Sequence, residues 1–579
     1  MDKKVYEFIA SQTGEKIVMR KTCPDCWQEF AITDKDLEFY SKISPVFHGT
    51  KYEISAPTLC PDCRQQRRLA RRIERNLYRR KCDLTGKPII STFSEDKDYT
   101  VYEESQRITD KWSAKDYGRD FDFNKTFFEQ FDELLKKVPY PATQSSSNEN
   151  SDYTNQTGNL KDCYLIFEAA FSENCYYWNN IWTVKDSVDN LRLTSSEHCY
   201  QCTECFMCYD LKYSFKSSNC STSQYLYNCE GCRDCLACVW LNNKQYCIFN
   251  KQYNKQEYEI KIKELLEDKE SLVEKYNQFI KEFPVNNVNN IWSNNVFGNN
   301  IVESNNIFHS FDIVWCENLK YCYGINWTKE SMDYCIWWSL SEKIYECISV
   351  WNTAYGVLFG LNNLDNIANL LYCINCRYWS KNCFGCIGLH NNEQYYILNK
   401  QYTKEEYEVL VPKIIEHMQR TWERWEYFPI KYSPFGYNET VASDYFPLSR
   451  DEAIAKWYKR MDKEYPINVP AWIELIKWQN LPDDISDVKD DILKKAVICE
   501  VSWKPFRIIK PELDFYRKHN LPLPRKHPDV RHLERLSQRA PRNLYLRTCD
   551  NCGKQVISVY PADSEFKVYC EECYNKQVY

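Results

Sequence analysis

A cysteine that returns every twelve residues constrains this chain more than any other feature. The segments KDCY, ENCY, KDSV and EHCY place Cys163, Cys175, Ser187 and Cys199 twelve residues apart, and after a slip of phase Cys220 and Cys232 repeat the interval. In the second half Cys335 and Cys347 do likewise, and Cys383 returns three periods later. Twelve residues are too few for a helical-pair repeat and suit one turn of a small, flattened β-solenoid, whose short strands pair with the turns above and below at about 4.8 Å. One turn cannot bury its own inner face, so turns must stack. A narrow lumen favours small groups such as Cys in a ladder, with Asn and Tyr rows outside. The phase slips keep an irregular Cys-rich core or a helical array as the competing reading.

The middle of the chain is itself a duplication. IFNKQYNKQEYE (248–259) and ILNKQYTKEEYE (397–408) share NKQY-x-K-x-EYE, and each runs into a stretch of Leu, Ile and Lys/Glu with helical periodicity. Such helices would cap the open edge of a stack. Two tight clusters, Cys199, Cys202, Cys205 and Cys208, then Cys229, Cys232, Cys235 and Cys238, run at three-residue steps. They resemble an iron–sulfur run but lack its closing three-residue gap and Cys-Pro, so cysteines on adjacent solenoid strands are the plainer expectation.

The two ends match each other as well. NLYRRKCDLTGKPIIS (76–91) aligns without a gap on NLYLRTCDNCGKQVIS (543–558), PTLCPDCRQQRRL (57–69) on PRKHPDVRHLERL (524–536), CPDCWQEFAI (23–32) on CEVSWKPFRI (499–508), and EFY (38–40) on DFY (514–516). One module therefore occurs twice, with two metal positions, each built from two Cys-x-x-Cys hooks. The amino-terminal copy keeps the first position, Cys23, Cys26, Cys60 and Cys63; its second has decayed to Cys82, Thr85, Glu103 and Gln106. The carboxy-terminal copy keeps the second, Cys549, Cys552, Cys570 and Cys573, and has Cys499, Ser502, His527 and Val530 at the first. Four thiolates from two hooks close a tetrahedral shell around zinc and leave no open position, so two structural Zn2+ sites are expected. Iron in a rubredoxin-like site is the minor competitor.

The expected fold is mainly β with α: tandem small β-solenoids of about twelve-residue repeat with capping helices, flanked by duplicated zinc-ribbon modules. The expected boundaries are an amino-terminal module at 1–110, a helical linker at 111–144, solenoids with their caps at 145–285 and 286–428, a linker at 429–495 and the carboxy-terminal module at 496–579. Such a length exceeds one core. Thirty cysteines without an apolar leader, and no run of membrane-span length, point to a soluble cytoplasmic protein with reduced thiols and no membrane partner.

Net charge is only −6, so affinity for RNA or DNA would have to come from local patches. The patch is Arg64, Arg67, Arg68, Arg71, Arg72, Arg75, Arg79 and Arg80, at three- and four-residue steps that suit a broad positive helical face. The second copy repeats the theme with Arg525, Lys526, Arg531, Arg535, Arg539, Arg542 and Arg547. Such faces would contact phosphates without reading sequence, and exposed Tyr and Trp rows would stack on single-stranded bases. The expectation is a non-enzymatic zinc-binding scaffold for RNA or DNA, with a protein partner on the solenoid faces as the alternative. Phosphate-binding glycine loops, the nucleophile elbow and the HExxH pair are absent. His532 and Glu534 ahead of Cys549 and Cys552 echo the zinc-deaminase arrangement, but no Pro precedes Cys549, which leaves a nucleic-acid-acting zinc hydrolase as a third reading.

CPDCW, PTLCPDCR, LYRRKCDLTGK, DYGRDFDF, the NKQY-x-K-x-EYE ends, GYNETVASDYFPL and VYCEECYNKQVY together resemble a family of Cys-rich zinc-ribbon proteins common in ultra-small environmental bacteria. The resemblance covers most of the chain. It implies cytoplasmic zinc-ribbon character and carries no activity.

Overall fold

A computed structural model describes residues 2–350, 353–463 and 469–578. It mixes helices with parallel-strand sheets. In the first half, strands pair in parallel at a constant offset of twelve residues: Asn155 with Phe167, Tyr164 with Tyr176, Glu173 with Lys185, Leu191 with Thr203, Tyr209 with Ser221 and Gln224 with Leu236.

The backbone shows why the inward pattern has period three and not the two of an ordinary strand. From Ser147 to Asn228 every third residue has positive φ, close to 50° at most positions. Each left-handed residue turns the chain, so a twelve-residue offset with three residues per side makes a four-sided coil. Every third residue then faces inward, as Leu160, Cys163, Ile166 and Ala169 do, all at most 2% exposed. Left-handed backbone costs a non-glycine residue about 1–2 kcal/mol, which Asn and Asp pay least. Many corners are accordingly Asn or Asp, and they bond to the corner one turn on: Asn150 to Asp162 (3.2 Å), Asn174 to Asp186 (2.9 Å) and Thr222 to Asp234 (2.7 Å).

This geometry accounts for the cysteine runs. Cys199–Cys202–Cys205–Cys208 is one complete turn, one thiol per side, and not a set on adjacent strands; Cys229 to Cys238 is another. Each lumen thiol of the first stack donates to the carbonyl two residues before it, and all but Cys238 and Cys247 also approach the one nine residues after: Cys175 Sγ lies 3.2 Å from Glu173 O and 3.4 Å from Val184 O. Serine makes the same local bond, and its oxygen also accepts from the next turn, as Ser187 Oγ does from the amide of Cys199 at 2.9 Å. Cys and Ser are interchangeable in the lumen because both satisfy inward carbonyls that an alkyl group would leave bare.

The second half keeps the parallel winding but changes its period. Its offset is eleven at Asn294–Asn305, twelve at Asn305–Glu317 and thirteen from Met332–Tyr345 through Ala368–Lys381 to Lys381–Gln394. Cys347 therefore lies opposite Tyr334, not Cys335, and Cys383 lies opposite Leu370, so the twelve-residue interval between Cys335 and Cys347 is not a structural register. One extra residue per turn moves the column, and the buried Tyr334 hydroxyl donates to Val350 O at 2.7 Å.

Both NKQY segments close their stacks in the same way. The last parallel strand folds back as a short antiparallel hairpin, Cys247 to Gln252 and Tyr396 to Gln401. The exposed edge is then covered by the helices Lys255–Glu267 and Lys269–Lys281 in the first case and Lys404–Arg420 in the second. Tyr258 and Tyr407 from these helices are buried against the last turns.

The terminal modules dock on the stacks. The amino-terminal module shares its core with the second stack, and residues 481–523 share theirs with Tyr176, Tyr177, Val188 and Tyr200 of the first, while Leu544, Ile557 and Val559 of the carboxy-terminal module join the core of the second. Of the expected linker 429–495, the described residues 429–463 and 469–495 are built in as well: Phe435, Tyr437, Val441 and Tyr458 are buried in the amino-terminal core, and Glu474–Lys477 pairs with Lys495–Ile498. None of the described helices is long and apolar enough to cross a membrane.

Candidate metal centres and the arginine clasps

Four turns of the same shape carry the Cys-x-x-Cys positions. In each, the amide four residues after the first Cys donates back to its carbonyl: Trp27 to Cys23 (2.8 Å), Gly86 to Cys82 (2.8 Å), Trp503 to Cys499 (3.2 Å) and Gly553 to Cys549 (2.9 Å). That donor residue has φ between 58° and 72° in all four. The turn is thus the same at the two positions that lack a full set of cysteines.

Where the ligands are complete they converge. The sulfurs of Cys23, Cys26, Cys60 and Cys63 lie within 4.8 Å of one another, as do those of Cys549, Cys552, Cys570 and Cys573. Cys26 and Cys60 are 3.6 Å apart at sulfur, Cys552 and Cys570 3.8 Å, and no disulfide forms. A tetrahedral ion at about 2.3 Å from each thiolate requires sulfurs about 3.8 Å apart. The donor sets therefore fit a tetrathiolate metal.

Backbone amides reach a sulfur in both centres. Cys60 caps the helix Pro61–Leu69, and its sulfur accepts the Cys63 amide at 3.5 Å. In the second centre Cys570 immediately precedes the helix Glu571–Val578, and its amide donates to Cys549 Sγ at 3.2 Å. Helix amino termini and amide donors favour thiolate over thiol. Burial opposes ionisation of Cys549, but the amides of Cys570, Cys552 and Asn551 override it and pull its pKa down to about 6. Cys552 is the one exposed ligand, so the second centre is open to solvent on one side.

The decayed positions keep some of this wiring. Glu103 N donates to Cys82 Sγ (3.4 Å) as Cys570 N does to Cys549, and Ser502 N donates to Cys499 Sγ (3.4 Å). The lumen cysteines do not gather three sulfurs within 4.8 Å anywhere among the described residues.

The expected basic faces are turned inward. The helix holding Arg64, Arg67 and Arg68 ends at Leu69, and Arg71 to Arg80 follow in turns and the strand Tyr78–Lys81. Arg64 meets Asp333 (2.8 Å), Arg67 meets Glu346 (2.9 Å), and Arg68 meets Asp333 (3.1 Å) and Glu346 (2.9 Å), with both carboxylates buried. Arg71 donates to Pro429 O, Arg72 pairs with Glu74, Arg75 with Asp529 and Arg80 with Asp83. Arg79 is exposed and reaches the Tyr153 hydroxyl at 3.1 Å. In the second copy Arg535 meets Asp189 (3.2 Å), Arg539 meets Glu204 (2.7 Å) and Asp312 (2.9 Å), and Arg542 meets Asp312 (3.0 Å).

These contacts repeat between the copies. Arg64 and Arg68 align with Arg531 and Arg535; the first pair clasps Asp333 of the second stack, the second pair clasps Asp189 of the first. Tyr40 and Tyr516 are likewise equivalent and fully buried, with rings against Tyr345 and Tyr200. Sequence reasoning named the arginines but missed Asp189, Asp312, Asp333 and Glu346, which lie far from them in sequence.

His532 does not join Cys549 and Cys552. It is 4% exposed and lines a cavity of about 170 Å³ with Glu74, Arg75, Asp444 and Asp529, where burial, Arg75 and Arg535 hold its pKa well below the usual imidazole value. Glu534 is exposed and paired with Lys526 at 2.6 Å. No family model matches the chain, and no curated protein matches it.

Proposed function

We propose that the chain is a non-enzymatic scaffold: two tandem β-solenoids held in register by zinc-ribbon modules, whose outer faces serve protein–protein assembly. The observation that carries this reading is the repeated clasp, in which Arg64 and Arg68 hold Asp333 while Arg531 and Arg535 hold Asp189. Arginines spent on buried carboxylates of their own chain are not available to phosphates. The four-sulfur sites close without an open position, which suits a structural Zn2+ and leaves no place for a bound water to be activated. The resemblance to Cys-rich zinc-ribbon proteins of ultra-small bacteria supports the zinc-ribbon part of this reading and a cytoplasmic setting.

The test is salt-dependent binding to single-stranded and duplex RNA and DNA, run beside cross-linking capture of protein partners. The scaffold reading expects no nucleic-acid affinity beyond the non-specific level, at about 10⁻⁴–10⁻⁶ M at physiological salt. Submicromolar binding that weakens steeply with salt would overturn it and restore RNA or DNA as the partner.

A further inference from the structure

The corner column of the first stack alternates donor and acceptor from turn to turn: Asn150, Asp162, Asn174, Asp186, His198, Asp210, Thr222, Asp234. Three of its donor–acceptor pairs are hydrogen-bonded, and the arrangement breaks at His198. There the acceptor groups of Asp186, Glu197 and His198 lie within 4.8 Å of one another. His198 Nε2 is 3.4 Å from Glu197. Asp210 stands one turn on from His198, and His519 reaches over from the carboxy-terminal module to within 3.7 Å of Asp210. The two imidazole rings are 5.3 Å apart.

Two buried nitrogens here have no hydrogen-bond partner, His198 Nδ1 and His519 Nε2, and the His519 side chain is only 9% exposed. Three carboxylates face two imidazoles. The cation paired with the cluster is Lys212, 3.5 Å from Asp210, while Lys185 leans to Glu173. The duplicate half offers a comparison: on the alignment that equates Tyr40 with Tyr516, Ile43 occupies the place of His519 and is buried. Docking alone is therefore satisfied by an alkyl group, and the imidazole answers to something else.

We propose that Asp186, Glu197 and His198, with His519 and Asp210 beside them, bind a divalent transition-metal ion. A mixed nitrogen and oxygen donor set suits Zn2+, Co2+ or Ni2+ and does not compete for the softer tetrathiolate sites. Its donors come from the first stack and from the carboxy-terminal module, so the ion would act as a further clamp between them.

The test is a Co2+ titration of the full chain with zinc in both cysteine sites, followed by visible absorption and by metal counting after gel filtration. One added Co2+ per chain is expected, with the weak absorption of nitrogen and oxygen ligation and not the intense bands of a cobalt thiolate. His198→Gln and Glu197→Gln should each weaken that binding roughly tenfold or more, while both zinc ions stay bound. Asp162→Asn, two turns away on the same column, should leave it unchanged. An absent third equivalent, thiolate-type bands alone, or binding equally strong in both variants would overturn the assignment. The Glu197 side chain is 44% exposed against 12% for His198, so its variant keeps the test decisive if the His198 variant fails to fold.

Discussion

Replacing Asp333 by Asn tests the clasp at its most sensitive point. The carboxylate is fully buried and accepts from Arg64 at 2.8 Å and Arg68 at 3.1 Å, and neither arginine side chain exceeds 1% exposure. Burial and the neighbouring Glu346 raise the Asp333 carboxyl against the pull of the two guanidiniums, so the intact cluster is not a large net stabiliser. Breaking it is another matter. Asn keeps the shape and one acceptor oxygen but removes the charge, leaving the buried Arg64 and Arg68 to share Glu346 with Arg67, which also faces Glu426. Loss of one partner from a buried ion pair costs about 3–5 kcal/mol. Asp189→Asn should cost a similar amount, because Arg531 and Arg535 repeat the arrangement on the other stack. Urea unfolding followed by tryptophan fluorescence at fixed metal loading measures both. A loss below about 1 kcal/mol for either variant, the range of exposed pairs, would refute the claim that these arginines are internal struts.

Three further outcomes follow from the same geometry. Changing Arg67, Arg68, Arg71 and Arg72 together to Glu should abolish soluble folded protein, seen by circular dichroism, because Arg67 and Arg68 face buried Glu346 and Arg71 and Arg72 are themselves buried; a folded quadruple variant would contradict the inward placement. Burial lifts Glu512 to about 7 despite Arg531 and two tyrosine hydroxyls, whereas a free Glu titrates near 4.3. The native state then holds a proton the unfolded chain has lost, so this group's contribution declines as pH rises from about 4.3 to 7, by about 3–4 kcal/mol in all. Glu512→Gln should remove that decline, and a wild-type-minus-variant stability difference that is flat across this window would exclude it. Cys205→Ser should cost less than about 1.5 kcal/mol in the same unfolding assay, since a hydroxyl can make the bonds of the thiol to Thr203 O and Ser214 O, whereas Cys205→Leu overpacks the lumen by about 1–3 kcal/mol.

The winding was legible because pairing a turn with the next forces equivalent residues into column, and Cys163, Cys175, Ser187 and Cys199 announce that column directly. The three-residue side was not legible. It depends on left-handed backbone at residues as varied as Tyr153, Leu165 and Trp240, which no propensity suggests. The Cys-x-x-Cys-x-x-Cys-x-x-Cys runs held that information in plain view, one inward residue per side, yet they imitate a cluster-binding motif. The shift to thirteen residues in the second stack was hidden because Cys335 and Cys347 keep the old spacing by coincidence while Tyr334 takes the inward place.

The two four-cysteine clusters were legible because metal coordination needs particular atoms at particular spacings. The arginines misled for a complementary reason: their compensating acids lie far away in sequence, Arg68 being bound to Glu346 and Arg539 to Asp312, so a local window sees uncompensated charge. Arg68 and Glu346 are 278 residues apart and Arg539 and Asp312 are 227 apart, so each partner lies outside any local window.

Each four-cysteine cluster lies inside its own terminal module, and metal content shows directly whether it holds zinc there. Protein purified without added metal and dialysed against a mild chelator should retain two zinc per chain by elemental analysis, with Cys26→Ser and Cys552→Ser each losing one. A chain that holds no metal, or that carries iron in place of zinc, would contradict the account.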